Sequence, residues 1–105
     1  MKITFEDGVL TAYLTGELDH HAAPALREET DLALVRFRPR ELVLDFTDVG
    51  FMDSSGVGFV LGRCKKADSV GAKTAVRGLS PRDERMMRFS GLPGLVEFRE
   101  GRKED

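Results

Sequence analysis

The fold is decided by the stretch FMDSSGVGFVLG, residues 51–62, because a strand is predicted to end just before it and a helix to start inside it. Residues 42–46 form a short, nearly continuous apolar run, which is typical of an interior strand covered on both faces. From Ser55 onward one helical face collects the apolar residues Val57, Val60, Leu61, Cys64 and Ala67. The Asp-Ser-Ser-Gly turn between strand and helix therefore predicts a helix N-terminus, whose free amides suit either a capping side chain or a phosphate.

Size and composition predict one soluble domain over residues 1–105, since 105 residues with 41% hydrophobic content can form one core but not two. Sixteen Lys and Arg against eighteen Asp and Glu leave a net charge of -2, so we expect no direct nucleic-acid or membrane partner. The single cysteine, Cys64, offers neither a disulfide nor a zinc site. Without a signal segment or a long apolar run, the sequence predicts a cytoplasmic protein.

Turn and cap signals divide the rest of the chain into alternating strands and helices. The predicted elements are a hairpin that turns at residues 7–8 and breaks at residues 16–21, a helix between Pro24 and Pro39, a strand over 74–76, a helix from Ser80 with Met86, Met87 and Phe89 on its apolar side, a strand over 95–98, and a charged tail over 100–105. This order predicts an α/β fold, with a single-layer mixed β-sheet of four to five strands flanked by helices. Ligands of such sheets meet the carboxyl ends of the strands, where residues 51–62 are expected to lie.

One side of the predicted helix carries an unusual surface. At 100° per residue, Ser55, Gly58, Phe59, Gly62 and Lys66 lie away from the apolar stripe, so Phe59 is predicted to be exposed. The two glycines each cost about 1 kcal/mol of helix stability relative to alanine, which indicates a flat surface shaped for close approach by another molecule. The alternative is that a neighbouring loop covers this side.

The two serines do not form a recognisable catalytic arrangement. A nucleophilic serine needs a base within hydrogen-bond reach, and the only histidines, His20 and His21, are adjacent in a loop far away in sequence. The turn lacks the Gly-x-Ser-x-Gly form, and no Gly-rich loop ends in Gly-Lys-Ser or Gly-Lys-Thr. We therefore expect no enzyme activity. Helix capping remains an alternative role for Asp53 and Ser54, and a solvated loop pair remains an alternative to a pH-sensitive contact for the histidines.

Several of these motifs together resemble a known family. They are the segment LTGELDHH at residues 14–21, the turn FMDSSG at 51–56 followed by Gly58 and by LGR at 61–63, and Ser80-Pro81 followed by FSGL at 89–92. The chain resembles the STAS-domain anti-anti-sigma factors, most closely the sporulation-type anti-sigma F factor antagonists, over nearly its whole length. Phe59 is bulkier than the aliphatic residue that is usual in the family.

The resemblance implies a phosphorylation switch. In that family the first serine of the turn is phosphorylated by a partner serine kinase that is also the anti-sigma factor, which transfers here to Ser54. The unphosphorylated protein binds the kinase and frees its sigma factor, and a separate serine phosphatase resets the cycle. ATP would belong to the partner, so this chain is expected to need no cofactor, and the free protein is expected to be a monomer.

The resemblance and the helix surface together predict which residues contact the kinase, with Asp19 at a family contact position. The predicted partner-binding residues are Asp19, His20, Asp53, Ser55, Gly56, Gly58, Phe59, Gly62 and Arg63. The alternative reading is a STAS module of another signalling system, such as a stress-response scaffold or a polar-ligand sensor, which would use the same turn for a different partner.

Overall fold

The computed structural model describes residues 1–102. Its elements in chain order are β1 (Lys2–Glu6), β2 (Val9–Leu18), α1 (Ala23–Phe37), β3 (Glu41–Met52), α2 (Ser54–Ser69), β4 (Lys73–Arg77), α3 (Pro81–Phe89) and β5 (Glu97–Arg99). The strands form one sheet in the order β1-β2-β3-β4-β5, in which β1 runs antiparallel to β2 and the other neighbours are parallel. The predicted mixed sheet flanked by helices is confirmed.

The hairpin forms where turn chemistry predicts it. Asp7 and Gly8 have φ of 51° and 79°, the left-handed conformation that a two-residue hairpin turn requires, and Glu6 pairs with Val9 across the turn. The predicted break at residue 16 is wrong, because β2 continues to Leu18 through two irregularities in its register with β3. A strand with bulges stays paired with its neighbour, but its apolar and polar residues no longer alternate. The sequence pattern therefore does not reveal that the strand continues.

The core lies between the sheet and the helices. Alternate residues of the two central strands are fully buried on this side, namely Leu10, Ala12 and Leu14 of β2 and Leu42, Leu44 and Phe46 of β3. Leu34 of α1, Val60 of α2 and Met87 of α3 belong to the same core. Within residues 1–102, no helix is both long and apolar enough to cross a membrane.

The helix ends follow the sequence signals. Pro24 lies in the first turn of α1, which ends at a left-handed Arg38 just before Pro39. Gly71, with φ of 82°, follows the end of α2, and the Ser80 hydroxyl of the α3 cap accepts the Asp83 N–H at 3.1 Å. These boundaries were predictable because each depends on the backbone preference or the capping side chain of a residue at the helix end.

The apolar side predicted for α3 is correct for Met87 and wrong for Phe89. Met87 is fully buried, whereas Phe89 is 91% exposed. Two residues along a helix turn the side chain by about 200°, so Phe89 points away from the core that Met87 enters.

The face of the sheet opposite the core carries a charged cluster around Asp45. This fully buried carboxylate accepts the Arg77 Nε–H at 2.6 Å, the Arg102 Nε–H at 3.1 Å and the Thr47 N–H at 2.8 Å. Arg102 also donates to Asp48. Within the predicted tail over 100–105, Arg102 is thus bound to β3 rather than free in solvent, and residues 103–105 lie outside the described residues.

Candidate functional site

The site forms where β2 and β3 end side by side. Leu18 pairs with Met52, the last residues of these two parallel strands, and the Asp53 N–H donates to the Leu18 carbonyl at 3.3 Å. The chain segments that follow the two strands therefore lie next to each other at the carboxyl edge of the sheet, where α/β folds place their ligands. Pairing of the two strands thus brings Asp19 beside the 53–56 turn.

Asp53 caps α2. Its backbone is extended, its Oδ1 accepts the Ser55 N–H at 2.8 Å, and its carbonyl accepts the Gly56 N–H at 3.0 Å. Ser54 is the first helical residue and is exposed, while Ser55 is half-buried. Of the two residues considered for capping, the carboxylate takes that role. Ser54 is therefore exposed to solvent and does not carry the cap.

Gly56 has a packing role. It is buried, and a Cβ at this position would lie 2.3 Å from both Cγ and Sδ of Met52 and 3.4 Å from Cδ2 of Leu18. The missing side chain thus lets the first turn of α2 approach the sheet. Gly56 thus lies beneath the surface of the free chain, and its contact with a partner stays a prediction.

Asp19 shapes the segment before α1. Its Oδ1 accepts the N–H groups of His21 and Ala22 at 3.0 and 2.9 Å, and its carbonyl accepts the Ala23 N–H at 3.0 Å. The hydrogen bond from Ala22, helped by the His21 N–H and the two histidine rings, outweighs the opposing effect of partial burial and holds the pKa of Asp19 below its usual value. The Asp19 side chain therefore holds the turn, while Ala22 occupies the cap position itself.

A groove of about 400 Å³ separates the start of α1 from α2. We call it the α1–α2 groove; it is lined by His20, Ala23, Pro24, Arg27, Ser55, Gly58, Phe59, Gly62 and Arg63. His20, Ser55, Gly58, Phe59, Gly62 and Arg63 were in the predicted partner surface, and Asp19 and Asp53 lie at the adjoining edge of the sheet. Ser55 and His20, far apart in sequence, thus line one groove, although no hydrogen bond joins them among residues 1–102.

Sequence reasoning missed the α1 wall of this groove. Residues 20, 23, 24 and 27 follow the spacing i, i+3, i+4, i+7, and residues 55, 58, 59 and 62 repeat the same spacing on α2. That pattern marks one face of a helix. The signal for Arg27 was therefore present, but nothing in the sequence shows that the two faces meet.

The prediction that Phe59 is exposed is wrong. Phe59 is 4% exposed, because α2 packs against α1 as well as against the sheet and so has two buried sides. The cover is a helix rather than the loop considered from sequence. The Phe59 ring lies 5.4 Å from the Arg63 guanidinium, within the range of a cation–π contact.

Arg63 joins the two helices. It is 5% exposed, its Nη2 donates to Asp31 Oδ2 at 3.1 Å, and its Nε lies 2.7 Å from Asp31 Oδ1 in a contact too poorly aligned to count as a hydrogen bond. Burial lowers the pKa of Arg63 despite the attraction of Asp31. Arg63 thus holds the groove's two walls together, and its contact with a partner stays a prediction.

Gly58 and Gly62 keep the α2 wall of the groove flat. A Cβ at either position would meet no atom within 4 Å beyond the glycine's own surroundings, so neither glycine is required for packing. Each lowers helix stability by about 1 kcal/mol relative to alanine. Packing within the fold therefore does not account for glycine at either position.

Two alanine substitutions in α2 distinguish a glycine that the packing requires, Gly56, from a glycine that faces open space, Gly58. Gly58→Ala is expected to raise the free energy of unfolding by up to about 1 kcal/mol, since the added methyl group enters open space. Gly56→Ala is expected to lower it by about 1–2 kcal/mol, since overpacking against Met52 exceeds the helical gain. Urea unfolding of both variants measures the difference, and a shift of both in the same direction would contradict it.

The five-stranded mixed sheet with a serine turn at the start of α2 is the arrangement of a STAS domain. The STAS domain family matches residues 1–104, and the chain belongs to this family. The anti-sigma F factor antagonist of Paenibacillus polymyxa is 41% identical over 85 residues, which cover 81% of this chain and 73% of that protein.

Two solved structures of one anti-sigma factor antagonist are also similar. The unphosphorylated form of SpoIIAA superposes with a TM-score of 0.79 at 32% identity, covering 92% of this chain and 85% of that one. The phosphorylated form, from Bacillus, has a TM-score of 0.73 at 32% identity, covering 92% and 88%. These similarities confirm the predicted family, and the second shows that a related protein is a phosphoprotein.

Proposed function

We propose that this chain is an anti-sigma factor antagonist switched by phosphorylation of Ser54. The unphosphorylated form binds an anti-sigma factor that is also a serine kinase, and so frees a sigma factor in the cytoplasm. The kinase brings its own ATP; the Ser54 oxygen bonds to the γ-phosphorus, ADP leaves, and the hydroxyl proton passes to a base of the kinase. A serine phosphatase then restores the hydroxyl.

The observation that carries this proposal is the division of roles between Asp53 and Ser54. Asp53 holds the start of α2, while Ser54 is exposed one residue further along. A phosphate on Ser54 therefore displaces no side chain that the fold requires. It also lies at a helix N-terminus, where the macrodipole and backbone amides favour negative charge.

The partner surface is proposed to combine the edge around Ser54 with the open part of the α1–α2 groove. Asp19 and Asp53 supply carboxylates at the edge, while Gly58 and Gly62 let another backbone approach α2 closely. Phosphorylation adds about -1.5 to -2 charges beside these carboxylates. The phosphate also fills space that the kinase needs for close contact at the Ser54 edge, and this steric bulk explains release.

The proposal predicts which serine accepts the phosphate. The unphosphorylated chain is first used to capture the kinase from among the products of neighbouring genes. With this kinase and ATP, we expect the wild type and Ser55→Ala each to gain one phosphate. Ser54→Ala should gain none while still binding the kinase. Mass spectrometry of tryptic peptides measures this. Because Asp53 makes the cap, Ser54→Ala should destabilise the fold by less than the roughly 1 kcal/mol of a lost cap. A phosphate found on Ser55 in the wild type would refute the assignment.

The alternative, a STAS module of another signalling system, is favoured only by the size of the α1–α2 groove, which could hold a small polar ligand beside His20 and Arg27. Capture of a protein that is neither a kinase nor an anti-sigma factor would support a stress-response scaffold. An enzyme function would be revived if the chain alone turned over ATP or a model ester and Ser54→Ala or Ser55→Ala abolished the turnover.

A further inference from the structure

The outer side of α1 carries an apolar ridge that the Ser54 site does not use. Leu32 is 64% exposed and Val35 is 47% exposed, on the side of the helix away from buried Leu34. A hollow of about 290 Å³ lies beside Leu32; it is lined by Ile3, Glu29, Leu32, Ala33, Arg36 and Phe37. A projecting leucine next to a partly apolar hollow is an arrangement that a second surface can fill.

The charges at the two ends of this hollow are opposite. Glu29 lies about one helical turn before Leu32 and Arg36 about one turn after it. The two are seven residues apart, about 10.5 Å along the helix, so they do not pair directly with each other. Neither forms a salt bridge with any other residue in the described range, although Arg36 lies 5.3 Å from the Phe37 ring.

We propose that this surface binds a second copy of the same chain, with the two α1 helices antiparallel about a twofold axis beside Leu32, midway between Glu29 and Arg36. Such a rotation keeps each residue on its own side of the interface and reverses its position along the helix. Glu29 of one copy then faces Arg36 of the other, and the symmetric pair forms as well. Leu32 of one copy packs on Leu32 of the other. The apolar ridge and the two charges therefore make the surface self-complementary.

The dimer is weak and reversible. One helix from each copy buries less area than the 1,200–2,000 Å² or so of a stable interface. The expected free monomer therefore describes dilute solution, and dimers form as the concentration rises. The proposal does not depend on Ser54 phosphorylation, because no residue of the Ser54 site enters the pairing.

Charge reversal tests the pairing. Sedimentation velocity from about 10 µM to about 1 mM should show the wild-type mass rising toward that of a dimer. Glu29→Arg alone and Arg36→Glu alone should each raise the dissociation constant of the dimer about tenfold. Each variant places two like charges opposite each other at both symmetric positions of the interface. An equimolar mixture of the two variants should associate again, and the double variant should self-associate like the wild type. Arg85→Glu, an exposed reversal on α3, should change nothing.

Three results would overturn the proposal. One is a wild type that stays monomeric at the highest concentration, and another is a double variant or mixture that fails to recover association while circular dichroism shows folded protein. The third is Leu32→Glu that leaves the oligomeric state unchanged but weakens kinase binding, which would assign the ridge to that partner. Failure of the phosphorylation assay would leave these results unaffected, so the two hypotheses are tested separately.

Discussion

Phosphorylation of Ser54 is expected to weaken binding of the anti-sigma factor about 100-fold or more without lowering the melting temperature of this protein. A phosphate in the middle of the contact surface fills space that the kinase must approach closely, and each 1.4 kcal/mol or so of lost binding free energy is a factor of ten in affinity. The fold is not weakened, because the α2 cap belongs to Asp53 and helix N-termini accommodate phosphate.

Both quantities are measurable on one preparation. Protein phosphorylated by the kinase and separated from the unmodified form is compared with it by isothermal titration against the anti-sigma factor and by thermal unfolding. Ser55→Ala, phosphorylated in the same way, is the matched control and should behave like the wild type. A large fall in melting temperature, with affinity lost only in proportion to unfolding, would show that the switch acts through the fold instead.

Asp45→Asn is expected to destabilise the protein by about 2 kcal/mol at neutral pH. Hydrogen bonds to a charged group contribute about 1.5–3 kcal/mol, and both arginine partners reach solvent, which reduces the loss on removing the charge. Asparagine keeps the shape of the side chain and an oxygen that can accept the Thr47 N–H. The loss therefore reports the ion pairs with Arg77 and Arg102.

The difference between wild type and Asp45→Asn should shrink at low pH. Burial is the largest single influence on the pKa of Asp45 and raises it, but hydrogen bonds from Thr47 and Arg77 together outweigh burial, so the pKa lies below its ordinary value. A carboxyl group with a lowered folded-state pKa stabilises the fold above its unfolded pKa of about 3.9, and this contribution disappears as pH falls through the folded pKa. Asparagine has no such contribution to lose.

Urea unfolding across this pH range measures the convergence. Asp48→Asn is the matched control, since its carboxylate is also bound by Arg102 but is half exposed, and it should change stability far less. A difference between wild type and Asp45→Asn that stayed constant with pH would show that the charge on Asp45 does not stabilise the fold.

Local signals in the sequence were enough to predict the alternation of strands and helices. The Asp7-Gly8 turn, the first-turn proline at Pro24 and the Ser80 cap each act through the backbone of a few neighbouring residues. Such signals operate before any long-range contact forms, so they can be read directly. The family resemblance rested on the same turns and on the residues around them.

The candidate site was predicted in position but not in detail. Periodicity assigned α2 one buried side, and this failed at Phe59 and Arg63, which are buried against α1. The packing role of Gly56 was missed for a related reason, since its contact with Met52 depends on how closely the helix approaches the sheet. Hydrophobic periodicity reports whether a side is apolar, and it does not report a second side covered by another helix.

By itself, the sequence determined the order of the elements, the serine turn at the start of α2 and the family, because these depend on residues close together in the chain. Only the tertiary structure decided that Asp19 lies beside the turn and that Arg63 is bound to Asp31. These features depend on parallel strand pairing and helix packing, which bring together residues about thirty positions apart. The turn around Ser54 was thus predictable, whereas the groove beside it required the fold.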